Sequence, residues 1–111
     1  MSGRSRSKGK RGELEARDAV REHWGALECV RSAQRAGYHS SDLADALPNA
    51  HVEVKRRKRI SALRFFEQAE SDKREEEMPV ILMREDGDPR WVVMFRIEDS
   101  ERFVKALGEV A

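Results

Sequence analysis

The stretch His51-Val52-Glu53-Val54-Lys55 decides how the rest of the chain is interpreted. In an extended strand successive side chains point to opposite faces, so the two valines share one face and His51, Glu53 and Lys55 share the other. The valines can be buried against a helix. A Glu-x-Lys pair on the other face suits metal-dependent phosphodiester cleavage, in which the carboxylate helps to hold Mg²⁺ and the lysine orients or deprotonates the attacking water. Alternating charge on a solvated strand is the commoner origin of such a pattern, so the surrounding sequence has to decide.

Composition limits the size of the core and the class of partner. The chain has 111 residues, of which 39% are charged and 6% are aromatic, so we expect one domain with a modest core and a heavily ionised surface. The formal net charge is only +1, but residues 1–11 contain basic and no acidic residues, and residues 55–59 are all basic. Two basic clusters indicate a polyanionic partner, although solvated charge on helices and tails explains either cluster alone equally well.

Several classes of protein are excluded. The single cysteine, Cys29, rules out a disulfide framework within the chain and a zinc site built from several cysteines. No apolar run approaches membrane-spanning length, and the N-terminus has no hydrophobic signal region. We therefore expect a cytoplasmic protein.

Periodicity and turn residues predict the element order α-β-β-β-α-β-β-α. Residues 1–11 predict a disordered basic arm in front of one domain at residues 12–111. The predicted elements are a helix from about Gly12 to Gly25, strands at 27–31, 42–47 and 51–55, a helix at 61–73, strands at 79–84 and 90–95, and a last helix from Asp99 or Ser100. A polar loop at 32–41 separates the first two strands.

Two further carboxylates are candidates for the same site as Glu53. At 100° per residue Glu13 lies within about 20° of Val20 and Trp24 and projects toward the core, whereas Glu15 projects away. Glu13 either favours the helix dipole or reaches over the sheet edge toward a metal. If the strands at 42–47 and 51–55 pair across a short turn, Asp42 lies about level with residue 55, and Asp42 and Glu53 can share one cation.

At these residues the sequence resembles the PD-(D/E)xK nuclease superfamily, and within it the archaeal-type Holliday-junction resolvases and their phage relatives. The resemblance covers roughly residues 8–97. Its matching stretches are Lys8-Gly9 with Glu13 four residues later, Val30-Arg31-Ser32-Ala33 ahead of Ser41-Asp42-Leu43, and Glu53-Val54-Lys55. Ser41 stands where the superfamily pattern has its proline. The resemblance implies a restriction-endonuclease-like core, which is a mixed central β-sheet flanked by helices.

The resemblance also implies an activity and a cofactor. The expected protein is a structure-selective endodeoxyribonuclease that resolves four-way (Holliday) junctions in DNA recombination and repair. Its catalytic residues are then Glu13, Asp42, Glu53 and Lys55. The cofactor is Mg²⁺, for which Mn²⁺ is expected to substitute, and its implied ligands are Asp42, Glu53, the Val54 carbonyl and Glu13.

Two further polar residues are accessory candidates. Gln68 matches a glutamine that recurs on the following helix in some relatives, although an exposed helix glutamine explains it equally well. His39 and His51 are near the site in the chain and are conceivable general bases, but exposed polar histidines are the commoner case.

Basic residues around the site predict contacts to DNA phosphates without base readout. The candidates are Lys8, Lys10, Arg11, Arg31, Ser32, Arg35, Arg56, Arg57, Lys58 and Arg59. A junction has two equivalent scissile strands, so a resolvase is expected to be a twofold homodimer. The candidate interface combines Phe65–Phe66 with the hairpin formed by Val80–Met83 and Trp91–Phe95, unless these side chains form one intramolecular core.

Three other functions are compatible with the sequence. A nuclease of the same fold that acts on nicks, flaps or ends shares every motif residue. A catalytically silent nucleic-acid-binding module keeps the basic residues but needs no metal. An interaction protein without a nucleic-acid partner predicts only weak DNA binding.

Overall fold

The computed structural model describes residues 3–32 and 41–110, with side chains from residue 9 onward. Its elements are α1 Gly3–Trp24, β1 Val30–Arg31, β2 Leu43–Ala44, β3 Ala50–Arg57, α2 Ala62–Asp72, β4 Met78–Glu85, β5 Val92–Met94 and α3 Ser100–Val110. A 3-10 turn at Ile97–Asp99 leads into α3. The predicted α/β class and the predicted order of helices and strands are confirmed.

The strands form one mixed sheet in the spatial order β1-β2-β3-β4-β5. The β3–β4 pair is parallel, and the other three pairings are antiparallel. Parallel neighbours need a crossover connection, which α2 provides. β3 is hydrogen-bonded to β2 on one side and to β4 on the other, so its backbone positions are fixed from both sides.

Alternation along β3 and β4 builds a hydrophobic cluster on each face of the sheet. Val52 and Val54 of β3 lie on the face covered by α1 and α3. The cluster there includes Ala16, Val20, Val80, Leu82, Phe103 and Ala106. The other face, covered by α2, carries the cluster of Phe66, Ala69, Ile81 and Met83. The continuous apolar run of β4 is therefore explained by burial on both faces.

The start of α1 differs from the prediction. The helix begins at Gly3, so residues 3–11 are helical where the sequence predicted a disordered arm. Lysine and arginine are good helix formers, which offsets the unfavourable effect of the glycines. Gly12 is not the helix start that the sequence predicts; a Cβ at this position would lie 3.1 Å from the Cβ of Arg56. Its lack of a side chain instead lets α1 approach β3 closely.

Part of the predicted dimer interface is buried inside the chain. Phe66 and all four residues of Val80–Met83 are buried within the chain itself, so they belong to its own core. The exposed large apolar side chains near these elements are Leu63, Val92 and Val93. None of the described helices is long and apolar enough to cross a membrane.

Candidate metal-binding active site

Asp42 and Glu53 meet across the gap between β2 and β3. Leu43 pairs with Val52, and the Asp42 N–H donates to the Val52 carbonyl at 3.0 Å. Continuing this register sets Asp42 opposite Glu53, not level with Lys55 as predicted. The Val54 N–H donates to Asp42 Oδ2 at 2.8 Å and holds this carboxyl over β3.

The loop between β2 and β3 explains the error in register. The prediction assumed a tight turn at Pro48-Asn49, whereas β2 ends at Ala44 and the connection includes two non-glycine residues with positive φ, Asp45 at 61° and Asn49 at 53°. Aspartate and asparagine tolerate this left-handed conformation better than most residues. The longer loop shifts the pairing by two residues.

The two carboxyl groups are close enough to shift each other's pKa. Burial, the charge of Glu53 and a hydrogen bond with Glu53 together raise the pKa of Asp42 to about 8. Burial also disfavours the charged form of Glu53. However, hydrogen bonds from His51 and Asp42, with the nearby charge of Lys55, outweigh burial and lower the pKa of Glu53. Asp42 is therefore the protonated member of the pair at neutral pH.

His51 lies on the same strand face and is fully buried, so the exposed position considered for it is wrong. Its Nε2 lies 2.7 Å from Glu53 Oε1. Because an ionised carboxylate only accepts hydrogen bonds, Nε2 is the donor. The alternation of side chains along β3 correctly predicted that His51 and Glu53 share a face. Glu77, a loop residue 3.7 Å from His51 Nδ1, could not be predicted to lie here, because no local sequence pattern links it to β3.

Lys55 shares this face and lies beside an aromatic ring of α2. Its Nζ is 5.0 Å from the centre of the Phe65 ring, and the guanidinium of Arg57 is 5.7 Å from the same ring. Such cation–π contacts restrain a long side chain at modest free-energy gain. The amine predicted to act next to the attacking water is thus held near Glu53 by the fold.

Glu13 lies at the edge of the site but its charge is already paired. Its Oε1 accepts a hydrogen bond from Arg31 Nε at 2.5 Å, and its side chain is only 17% exposed. Glu13 also contributes to the raised pKa of Asp42, so it is within electrostatic range of the carboxyl pair. The core-side projection predicted for Glu13 is consistent with this position, while its role as a metal ligand stays a prediction.

Glu15 does not project away from the protein, and that prediction is wrong. Its two oxygens accept hydrogen bonds from Arg56 at 2.7 Å and from Arg84 at 2.9 Å. Arg84 is buried, and its guanidinium also lies 5.6 Å from the ring of Trp91. The close approach at Gly12 turns this part of α1 toward the sheet, so Glu15 joins α1 to β3 and β4.

The oxygen donors fit a hard divalent cation. Within residues 3–32 and 41–110, no three His, Cys, Asp or Glu side chains form a ready-made metal site. Glu13 is bound to Arg31, and His51 is bound to Glu53, which leaves Asp42 and Glu53 as the available pair. Two carboxylates, with the Val54 carbonyl as a predicted third ligand, suit Mg²⁺ or Mn²⁺, and a cation would replace the proton between them.

The predicted DNA-binding residues fall into two groups. Lys10, Arg11, Arg57, Lys58 and Arg59 are exposed. Arg31 and Arg56 are mostly buried in ion pairs, the latter with Glu15 and Asp86, and the buried Ser32 donates its hydroxyl to the Ser41 carbonyl. Gln68 is exposed on α2. Arg35 and His39, and the side chain of Lys8, lie outside the described residues.

Comparison of the chain with protein-family models, with curated proteins and with solved structures finds no match.

The two glutamates of α1 are predicted to act differently when each is neutralised. Glu13→Gln should lower metal-dependent cleavage about 10- to 100-fold, because it removes a carboxylate at the site edge, in addition to any stability lost with the Arg31 ion pair. Glu15→Gln should instead lower the free energy of unfolding by about 1–3 kcal/mol, because Arg84 loses its buried counter-charge. Urea unfolding and cleavage at a temperature where both variants are folded separate the effects. The opposite assignment of effects would contradict the arrangement of α1 over the sheet.

Proposed function

We propose that this protein is a Mg²⁺-dependent endodeoxyribonuclease of the PD-(D/E)xK superfamily that cleaves four-way DNA junctions. The observation that carries the proposal is the adjacent, largely buried carboxyl pair of Asp42 and Glu53, with Lys55 on the same strand face as Glu53. Burying two carboxyl groups against each other is unfavourable for folding unless a proton or cation lies between them. A binding module without catalysis has no use for such a pair.

Two features of the fold support the assignment to this superfamily. The order α-β-β-β-α-β-β-α is the one that the sequence resemblance implies, and the sheet is mixed, with helices on both faces. The candidate residues come from α1, the start of β2 and the middle of β3, so elements far apart in the chain meet at one site. A restriction-endonuclease-like core is therefore part of the proposal.

The residues of the site divide the work of hydrolysis. When bound, the cation supplies positive charge that stabilises the transition state and makes the attacking water more acidic. Asp42 and Glu53 would hold the cation as carboxylates, together with the Val54 carbonyl. Lys55, restrained by Phe65, orients the attacking water or accepts its proton.

Cleavage of defined DNA substrates tests the proposal. Purified protein should incise a four-way junction in Mg²⁺ or Mn²⁺ more efficiently than a flap, a nicked duplex or a plain duplex. The incisions should be paired and symmetric, and light scattering should give the mass of a dimer. A monomer that nicks any duplex would favour the general nuclease, and the absence of cleavage with either metal would overturn the proposal.

The exposed basic residues after β3 should contribute salt-dependent affinity. Removing Lys58 and Arg59 together by alanine substitution should reduce the slope of log K against log salt by up to about 1.8, since each phosphate contact contributes about 0.9. Lys105→Ala is the control, because Lys105 lies on α3, which covers the face of the sheet opposite to the one that carries Glu53 and Lys55. Fluorescence anisotropy over a range of salt concentrations gives the slopes, and equal slopes for all three proteins would exclude these contacts.

A further inference from the structure

His51 has an environment that its packing alone does not explain. The side chain is 1% exposed in the central strand β3. Nε2 donates to Glu53, while Nδ1 is buried and makes no hydrogen bond within the described part of the chain. Burying a polar atom without a partner opposes folding, so an apolar side chain of similar size would pack here without that penalty.

The hydrogen bond between His51 and Glu53 offers a functional reason for burying the imidazole. His51 Nε2 lies 2.7 Å from Glu53 Oε1, and the two side chains are only 1% and 13% exposed. The hydrogen bond therefore restrains the rotamer of the Glu53 carboxylate, which a cation at this site would need as a ligand. Hydrogen bonds of this kind orient metal-ligating groups, and their loss typically lowers metal affinity 10- to 100-fold.

We infer that His51 is a positioning residue: its Nε2–H holds the carboxylate of Glu53 facing Asp42, so that the pair is preorganised for a divalent cation. The inference rests on the proposed function, because it needs a metal at this pair. His51 and Glu53 are two residues apart in one strand, so the backbone of β3 fixes the distance between them. A rigid support of this kind keeps a flexible glutamate from adopting other rotamers.

Glu77 also lies near the His51 ring and serves as a comparison with Glu53. Its Oε1 lies 3.7 Å from Nδ1, beyond hydrogen-bonding distance, and accepts the Arg74 N–H at 2.8 Å. Glu77 is therefore fixed by its own turn and does not orient the imidazole strongly. If the contact to Glu53 is what matters, changing Glu77 should affect metal binding little.

Calorimetric titration of metal-free protein with Mn²⁺, without DNA, tests this inference independently of cleavage. His51→Leu removes the donor and should weaken Mn²⁺ binding 10- to 100-fold. His51→Gln keeps an N–H near the position of Nε2 and should bind within about threefold of the parent protein, whereas His51→Asn, whose amide is too short, should resemble His51→Leu. Glu77→Gln is the matched control and should bind within about threefold of the parent. Circular dichroism verifies that each variant is folded at the titration temperature.

Each outcome bears on a different step. If the parent protein binds Mn²⁺ and Asp42→Asn does not, but His51→Leu binds like the parent, the positioning role is wrong and the proposed metal site stands. Should His51→Leu fail to fold, tighter binding by His51→Gln than by His51→Asn supports the inference, and equal binding overturns it. If the parent protein binds no Mn²⁺, the proposed function fails and the inference fails with it.

Discussion

Asp42→Asn is expected to abolish metal-dependent cleavage and, in metal-free buffer, to make the protein more stable. Asparagine keeps an oxygen that can accept the Val54 N–H and an amide that can donate to Glu53. It cannot supply a negative charge to a cation. Loss of a ligand should lower the cleavage rate by roughly 10²–10³-fold or more. Asp42 would thus oppose folding when no cation is bound, yet be needed to bind one.

The gain in stability should depend on pH in a defined direction. The pKa of Asp42 is about 8 in the folded protein and has an ordinary value of 3.8, because burial and the neighbouring Glu53 disfavour its charged form. Between these values the unfolded chain releases a proton that the folded protein retains, so stability falls as the pH rises through this window. Asparagine does not titrate. The advantage of Asp42→Asn should therefore be small at pH 4 and grow toward pH 8 by up to about 1.4 kcal/mol per pH unit.

Urea unfolding in EDTA at pH 5 and pH 8, for both proteins, measures this difference. Asp45→Asn is the matched control, since Asp45 is exposed in the loop after β2 and asparagine tolerates its positive φ. It should change neither stability nor cleavage appreciably. An Asp42→Asn variant that is less stable than the parent at pH 8, or that cleaves at the parental rate, would contradict the proposed carboxyl pair.

The elements were predictable because each has a local signature in the sequence. Alternation identified the two faces of β3, and the continuous apolar run Val80-Ile81-Leu82-Met83 identified a strand covered on both sides. The register of Asp42 was not predictable in this way. It depends on the positive φ values of Asp45 and Asn49, which lengthen the connection between β2 and β3.

Contacts between elements account for the other differences. Alternation placed His51 beside Glu53, but it cannot show which elements cover that face and bury the imidazole. The helix angle placed Glu13 correctly on the core side. It failed for Glu15, because the close approach of α1 to Arg56 at Gly12 turns a wider face of the helix to the sheet than periodicity implies. These errors concern distances between helices and strands, which a local sequence pattern does not determine.

Lys55→Met is expected to lower the cleavage rate by about 10²–10⁴-fold while leaving metal binding intact. Methionine keeps an aliphatic side chain against Phe65 but loses the amine. The positive charge of Lys55 contributes to the low pKa of Glu53 and would repel a cation bound there. Mn²⁺ affinity should therefore stay the same or increase slightly, which is opposite to the effect expected for Asp42→Asn.

Lys55→Arg separates the two roles that the amine can have. Arginine keeps the charge and can still orient water or phosphate, but it cannot accept a proton at neutral pH. Cleavage within about tenfold of the parent rate would identify orientation as the main contribution, whereas a loss as large as that of Lys55→Met would indicate proton transfer. Lys58→Met is the control, because Lys58 is exposed just beyond the end of β3 and should affect DNA affinity without changing the rate at saturating DNA. If Lys55→Met cleaves at the parental rate with unchanged metal affinity, then Lys55 acts only as a partner of Phe65, and the chemistry must depend on Asp42 and Glu53 alone.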